Sequence, residues 1–316
     1  MDIMIEAIGL KKYFQVGKRM LHAVDDVNLR IEKGSTLGVV GESGCGKSTL
    51  GRAVLGLHQI TGGQVLYQGQ DISNLNSRQF KALRREIQII FQDPYSSINP
   101  RHSVSRIIGE PMRVNGVVSS RAEQEKRVRA LMDTVGLSAR LYNAYPHELD
   151  GGRRQRVGVA RALGLNPKFI VCDEPVSALD VSIQAQILNL LMDLQRDMDL
   201  TYMFITHDLS VVKHISDEIV VMYLGQCVER APSNELFKHP RHPYTKSLLS
   251  AIPIPSATAR ERKPELIKGE LTSPIDPKPG CRFASRCPVA EARCEGENIP
   301  LIELSPGHHC ACVREN

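Results

Sequence analysis

The chain has no run of about 18 apolar residues, the length that a bilayer-spanning helix needs, and it has no tryptophan. No membrane-crossing helix is expected, so any task at a membrane requires a partner that does the spanning. The start, Met1-Asp2-Ile3-Met4-Ile5-Glu6, carries an early acid and no apolar core of signal-peptide length, so the chain is expected to stay in the cytosol. Charge of one sign is also scarce. A formal net charge of +5 over 316 residues makes no case for nucleic acid as a partner, which calls for a concentrated basic face. No internal repeat stands out. With 42% apolar and 24% charged residues the composition is that of a soluble globular protein. The length suits one large domain with a small appendage.

Cysteine is unevenly spread. Cys45, Cys172 and Cys227 are scattered, whereas Cys281, Cys287, Cys294, Cys310 and Cys312 crowd the last part of the chain. In a reducing cytosol such a cluster reads as a metal site rather than a disulfide set.

Apolar spacing organises the rest. Ile3, Ile5 and Ala7, then Val27, Leu29 and Ile31, follow a partial period of two and predict antiparallel strands within residues 1–31. Thr36–Val40 predicts a short buried strand running into Gly41, and Leu50, Val54, Leu55 and Leu57 predict a helix over 48–57. Val128, Leu131, Met132 and Val135 share one helical face, in a stretch that predicts a helical subdomain between two halves of a sheet. Phe169–Cys172 and Tyr202–Thr206 predict further buried strands, with a helix over Ile187–Leu194 between them. Strands alternating with helices imply a mostly parallel sheet with functional residues at strand ends. From about Pro232, frequent Pro, His and Lys predict a loop-rich tail without a large core of its own, which a bound metal would stabilise.

One motif carries chemistry outright. Gly41-Glu42-Ser43-Gly44-Cys45-Gly46-Lys47-Ser48-Thr49 matches the phosphate-loop pattern G-x-x-x-x-G-K-[ST] between a strand and a helix. Glycines let backbone N–H groups turn toward phosphate oxygens, and the helix N-terminus favours the anion. Lys47 puts a point charge on the β- and γ-phosphates, and the Ser48 hydroxyl suits Mg²⁺, which takes hard oxygen ligands. Asp173, ending an apolar strand, suits the acid that supports magnesium. Glu174 suits the group that orients and polarises the attacking water, and His207, ending the next strand, suits contact with the γ-phosphate. The expected substrate is ATP with Mg²⁺, and the expected activity is its hydrolysis.

With these residues in place the sequence resembles the ATP-binding cassette (ABC) family over roughly residues 1–255. The resemblance implies that Phe14 stacks on adenine. It implies that Gln92, in Phe91-Gln92-Asp93-Pro94, touches Mg²⁺ and senses the membrane partner. Leu149-Asp150-Gly151-Gly152-Arg153 stands where the family has L-S-G-G-Q, and Ser177-Ala178-Leu179-Asp180 corresponds to the loop that crosses the dimer interface. His207 corresponds to the switch histidine. In this family two cassettes sandwich two ATPs, the phosphate loop of one facing the signature of the other. The departure is at the signature. An ionised Asp150 cannot donate a hydrogen bond to the γ-phosphate and repels it, and Arg153 offsets part of that charge. A weakened composite site on the partner's ATP is expected, beside a competent Lys47/Glu174 site in this chain.

The implied fold is an α/β phosphate-loop cassette. It has a mostly parallel sheet, an antiparallel N-terminal β-subdomain, a helical subdomain at about 93–165 and a small Cys-rich C-terminal extension. The expected domains are 1–255 and 256–316. Residues 91–101, 176–186, 222–225 and His242-Pro243-Tyr244-Thr245-Lys246-Ser247-Leu248-Leu249 resemble the oligopeptide/dipeptide importer branch, its second ATPase subunit in particular. That resemblance implies a second, different ATPase, two transmembrane permease subunits and an extracytoplasmic peptide-binding protein. It places the chain peripherally at the cytoplasmic face of the cell membrane. Nickel or another small solute is the alternative cargo. Cys281, Cys287, Cys294 and Cys312 fall on the branch's C-terminal pattern, with Cys310 extra. Four thiolates there suit a [4Fe–4S] cluster, with Zn²⁺ as the alternative, although the paired C-x-x-C of common zinc sites is missing. No sustained heptads separate the phosphate loop from the signature, which argues against the coiled-coil ATPases of DNA repair. A single cassette argues against translation factors. Glu174 and His207 argue against a module that only binds nucleotide.

Overall fold

The computed structural model describes residues 2–252, 269 and 273–315. Two long strands, β1 (Ile3–Val16) and β2 (Arg19–Glu32), precede β3 (Thr36–Val40), α1 (Lys47–Val54), β4 (Gly62–Tyr67) and β5 (Gln70–Asp71). Next come α2 (Ser77–Glu86), β6 (Ile87–Ile90) and the helices α3 (Pro94–Ser97), α4 (Val104–Val114), α5 (Arg121–Thr134) and α6 (Gly151–Leu163). The chain continues through β7 (Phe169–Asp173), α7 (Val181–Met198), β8 (Thr201–Ile205), α8 (Leu209–Ile215), β9 (Glu218–Tyr223) and β10 (Gln226–Pro232). It ends with α9 (Ser233–Lys238), α10 (Pro243–Ser250), β11 (Ile302–Ser305) and β12 (His308–Cys310).

The chain forms two compact units. One comprises Met1–Met4, Glu32–Ser35 and Asn74–Met203. Here β6 and β7 pair in parallel, Ile87 opposite Phe169, beside the helices α2 to α7. Every residue of β7 is buried, as a parallel strand covered on both faces requires. Val128, Met132 and Val135 are buried on one side of α5, as their spacing predicts, while Arg127 and Arg129 pair with Glu123 and Glu125 one turn back. The helices α3 to α6 occupy the region in which a helical subdomain is expected.

The other unit comprises Ile5–Ile31, Thr36–Ser73 and Phe204–Asn316. An antiparallel sheet runs β2-β1-β4-β5. Along β2, Val27, Leu29 and Ile31 are buried while Asn28, Arg30 and Glu32 are exposed, so one face of the sheet is wet. A second sheet runs β11-β12-β10-β9-β3. The buried β3 lies parallel to β9, with Leu37 opposite Glu218, and β9, β10 and β12 continue antiparallel.

The tail departs from the loop-rich expectation. Two helices fill 233–250, and the β11–β12 hairpin joins β10, placing Cys310 opposite Glu229. Proline punctuates this region, but Pro243 sits in the first turn of α10, where its missing N–H has no helical partner to lose. The tail packs with the rest of this unit: the apolar Phe283 and Cys310 and the polar His308 are buried. The expected boundary between residues 255 and 256 lies outside the described residues.

Candidate functional site

The phosphate loop bridges the end of β3 and the start of α1. Gly41 (φ 150°), Gly44 (φ 78°) and Gly46 (φ 105°) adopt backbone angles that side chains disfavour. Two of these positions are also sterically closed. A Cβ on Gly41 would lie 2.2 Å from the Met222 carbonyl oxygen, and one on Gly46 would lie 2.0 Å from that of Ala23. Cys45 is buried beneath the loop; its N–H donates to the Glu42 carbonyl, and its own carbonyl accepts from Gly225 N–H. Burial pushes the Cys45 thiol up, so it is an inert packing group here. Lys47, 4% exposed, opens α1. Its Nζ donates to the carbonyls of Gly41 (2.8 Å) and Glu42 (3.0 Å), which hold the ammonium over the loop. Ser48 and Thr49 follow in the first turn of α1.

On the same unit, Phe14 lies half-buried on β1. Lys12 Nζ sits 4.6 Å from its ring centroid, and His58 meets it edge-on at 5.6 Å. His207 is exposed directly after β8, where Thr206 N–H donates to the Val39 carbonyl of β3.

The other unit carries Gln92, Asp173, Glu174, the signature and Asp180. Asp173 is the last, buried residue of β7. Glu174 follows with φ 48°, a left-handed conformation unusual for a residue with a side chain. That turn is held by Ser177, whose N–H and hydroxyl both donate to the Glu174 carbonyl. Gln92 Nε2 donates to Glu174 Oε2 at 3.0 Å. The structure thus joins two residues 82 positions apart that the sequence reading assigned to one reaction. The segment after Gln92 is tied to α6: Arg161 donates to the Ser97 carbonyl at 2.6 Å, and the Arg154 guanidinium lies 5.3 Å from the Tyr95 ring centroid.

The signature forms the N-terminus of α6. Leu149 is buried, and Asp150 is the N-cap, its Oδ1 accepting from Arg153 N–H at 2.8 Å. Arg153 Nε lies 3.4 Å from Asp150 Oδ2, both side chains remaining about half exposed or more. Gly151 and Gly152 have no room for a side chain: a Cβ would lie 3.0 Å from Leu179 and 2.6 Å from Ile183. The segment containing Asp180 is thereby packed on the signature. Asp180 itself is exposed and precedes Val181, which is 82% exposed.

Cys281, Cys287, Cys294 and Cys312 are free thiols in one region. Burial pushes Cys281 up to about 11, and the nearby Cys294, Cys287 and Cys312 push in the same direction. Cys287 and Cys312 are likewise raised by burial, then by Cys294 among their neighbours. Among the described residues no three Cys, His, Asp or Glu side chains are gathered closely enough for a single metal ion. Burial pushes the Cys310 thiol up, and Glu229, Cys312, Glu315 and Cys227 push in the same direction.

Sequence reasoning missed an entire set of tail residues. Glu229, fully buried, accepts from the N–H groups of Arg241 (2.7 Å) and His242 (2.9 Å) and contacts His308 Nε2 at 2.8 Å. Tyr223, Tyr244 and Phe283 form a buried aromatic trio with centroids 4.8–5.3 Å apart. Buried tyrosines signal a polar partner, but nothing in the sequence indicates which.

The family model described as ABC transporter matches residues 24–177, and that described as oligopeptide/dipeptide transporter, C-terminal region, matches residues 228–294. The chain is 50% identical over 322 residues to the oligopeptide transport ATP-binding protein OppF of Salmonella typhimurium, covering 99% of this chain and 96% of that one. It is 47% identical over 320 residues to the oligopeptide transport ATP-binding protein AppF of Bacillus subtilis, covering 98% and 97%. The dimeric ATP-binding cassette MJ0796, solved in a post-hydrolysis state with ADP and phosphate, superposes with a TM-score of 0.68 at 28% identity, covering 73% of this chain and 99% of that one. CbiO1 of Clostridium perfringens, part of the transporter complex CbiONQ, superposes with a TM-score of 0.67 at 27% identity, covering 76% and 92%. This chain therefore belongs to the ABC transporter ATP-binding proteins, in their oligopeptide/dipeptide branch, and its activity is ATP hydrolysis coupled to transport.

Proposed function

We propose that this chain energises the import of dipeptides and oligopeptides across the cytoplasmic membrane. It works on the inner face of two permease subunits, beside a second, different ATPase, and an extracytoplasmic binding protein delivers the peptide. The observation that carries this reading is the similarity to oligopeptide transport relatives over nearly the whole chain, tail included. It favours peptide over nickel as cargo. Among the described residues no helix is long and apolar enough to cross a membrane, so the permeases supply the passage. The exposed Val181 beside Asp180 suits a face that meets the second ATPase.

Within the ATP site, Lys47 neutralises the β- and γ-phosphates while Gly41–Thr49 wraps them with backbone N–H groups. Ser48, Gln92 and Asp173 supply oxygen donors of the kind Mg²⁺ takes, and the bound ion would screen phosphate charge. Glu174 polarises the attacking water, and Gln92, hydrogen-bonded to it, links that carboxylate to the partner-sensing loop. His207 contacts the γ-phosphate and Phe14 stacks on adenine. The residues from Leu149 to Arg153 serve the partner's ATP, with Asp150 weakening that composite site.

Cys281, Cys287, Cys294 and Cys312 would hold a [4Fe–4S] cluster with a structural role. What supports this reading is the presence of four soft thiol donors in one region of the tail. Iron and acid-labile sulfide in anaerobically purified protein, lost together on Cys294→Ser, is the expected result; stoichiometric zinc contradicts it.

The transport reading is tested by purifying the tagged chain from membranes. A second ATPase and two permeases are expected to accompany it, and peptide-loaded binding protein is expected to stimulate ATP hydrolysis. Stimulation by nickel and not by peptide would overturn the cargo.

A further inference from the structure

The segment between Cys281 and Cys287 reads Cys281-Arg282-Phe283-Ala284-Ser285-Arg286-Cys287. It lies far along the chain from the phosphate loop, yet it grips that loop. Arg286 forms a two-pronged ion pair with Glu42, the second residue of the loop: Nη1 to Oε2 at 2.7 Å and Nη2 to Oε1 at 3.1 Å. Nη1 also donates to the Tyr223 hydroxyl at 3.2 Å. The Arg286 side chain is 8% exposed and that of Glu42 is 21% exposed, so water screens this pair poorly.

Glu42 is held at each of its polar groups. Its N–H donates to the Tyr244 hydroxyl at 2.9 Å. Its carbonyl accepts from Lys47 Nζ and from Cys45 N–H. Its carboxylate is taken by Arg286. Phe283, from the same segment, packs on Tyr223 and Tyr244 and so fixes the two hydroxyls. Arg282 reaches the start of the chain, bonding Asp25 and the Leu224 carbonyl, while Asp25 also bonds Tyr13, the neighbour of Phe14.

A carboxylate in a phosphate-binding loop is an electrostatic problem. Left unpaired, Glu42 would repel the triphosphate that the loop must hold, and its backbone would be free to leave the geometry that Lys47 needs. We propose that Arg286 is a positioning residue for ATP binding: it neutralises and orients Glu42, and thereby the phosphate loop, from within the cysteine-flanked segment. Arg286 acts through Glu42. The inference rests on the reading that Gly41–Thr49 holds ATP. It makes the cysteine-flanked segment a brace of the ATP site, since that segment carries both Arg282 and Arg286.

The test is ATP binding by the full-length chain, measured by titration calorimetry alongside thermal unfolding. Losing one partner of a poorly solvated charge pair leaves the other exposed to the phosphates, so Arg286→Ala is expected to weaken ATP binding about tenfold. Adding Glu42→Gln removes the uncompensated charge, so the double variant is expected to bind ATP more tightly than Arg286→Ala alone. A merely structural role predicts no such recovery. A loss under about threefold for Arg286→Ala, or a double variant no tighter than the single, overturns the proposal. If the alanine variant does not fold, Arg286→Lys carries the test, because it keeps the charge without the two-pronged geometry. A loss of about threefold or more then supports the proposal, and a smaller one overturns it. Failure of the unmodified chain to bind ATP would sink the assignment of the loop itself, a result separate from either.

Discussion

The signature tests how charge at a helix N-terminus is used. Asp150 caps α6 through Oδ1 and pairs with Arg153 through Oδ2. Changing Asp150 to Ser keeps a capping oxygen, so the helix loses little, whereas Asp150→Ala removes the cap and costs about 1 kcal/mol of stability. The Asp150–Arg153 pair is largely exposed, and such pairs are worth only about 0.2–1 kcal/mol, so Arg153 cancels the carboxylate incompletely. In the proposed assembly the residual negative charge would face the partner's γ-phosphate; at about 4 Å in a half-wet site one unit charge is worth roughly 1–4 kcal/mol. Asp150→Ser is therefore expected to raise ATP turnover of the assembled transporter by about five- to tenfold, some 1–1.4 kcal/mol. Arg153→Ala, which exposes the acid, is expected to lower it. The assay is steady-state phosphate release by the complex in vesicles, with thermal unfolding run in parallel. Unchanged turnover in Asp150→Ser, or a rise in Arg153→Ala, refutes the electrostatic argument.

Three further perturbations are sharply defined. Gly46→Ala places a methyl group 2.0 Å from the Ala23 carbonyl at a φ of 105°, so a loss of roughly 2–6 kcal/mol and of ATP binding is expected; calorimetry showing native affinity would contradict it. Glu229→Ala strips two backbone N–H groups and His308 of their buried acceptor and is expected to cost about 3–5 kcal/mol in urea unfolding; a loss under about 1 kcal/mol would show that the network is slack. Burial pushes the His242 imidazole down from 6.5 to about 4, so the unfolded chain takes up this proton before the folded chain does. Its contribution is complete above pH 6.5 and is lost as pH falls toward 4, up to roughly 3 kcal/mol, and His242→Gln is expected to flatten that part of the stability profile. Identical profiles for the two proteins would contradict the assignment.

Features set by local chemistry were legible in the sequence. The phosphate loop needs Gly41, Gly44 and Gly46 because the backbone there adopts positive φ, and such a need leaves its mark in residue type. Buried strands such as Thr36–Val40 and Phe169–Asp173 are uniformly apolar up to their functional ends and announce themselves. The contact between Gln92 and Glu174 is not legible in the sequence, since 82 residues separate them. In sequence the tail reads as loop because prolines and histidines are frequent in it. Its order comes from long-range partners: Glu229 for His308, β10 for β12, Glu42 for Arg286. Pairings of that kind carry no local periodicity, and an arginine that braces a distant glutamate looks the same in sequence as one in solvent.

Hydrolysis by this chain's own site is measured most directly as phosphate release by the purified transporter, comparing the native chain with Glu174→Gln and with Lys47→Ala. If Glu174 polarises the attacking water as proposed, Glu174→Gln lowers turnover by about a hundredfold or more while ATP still binds, and Lys47→Ala abolishes binding as well. Turnover kept in both variants would contradict the account.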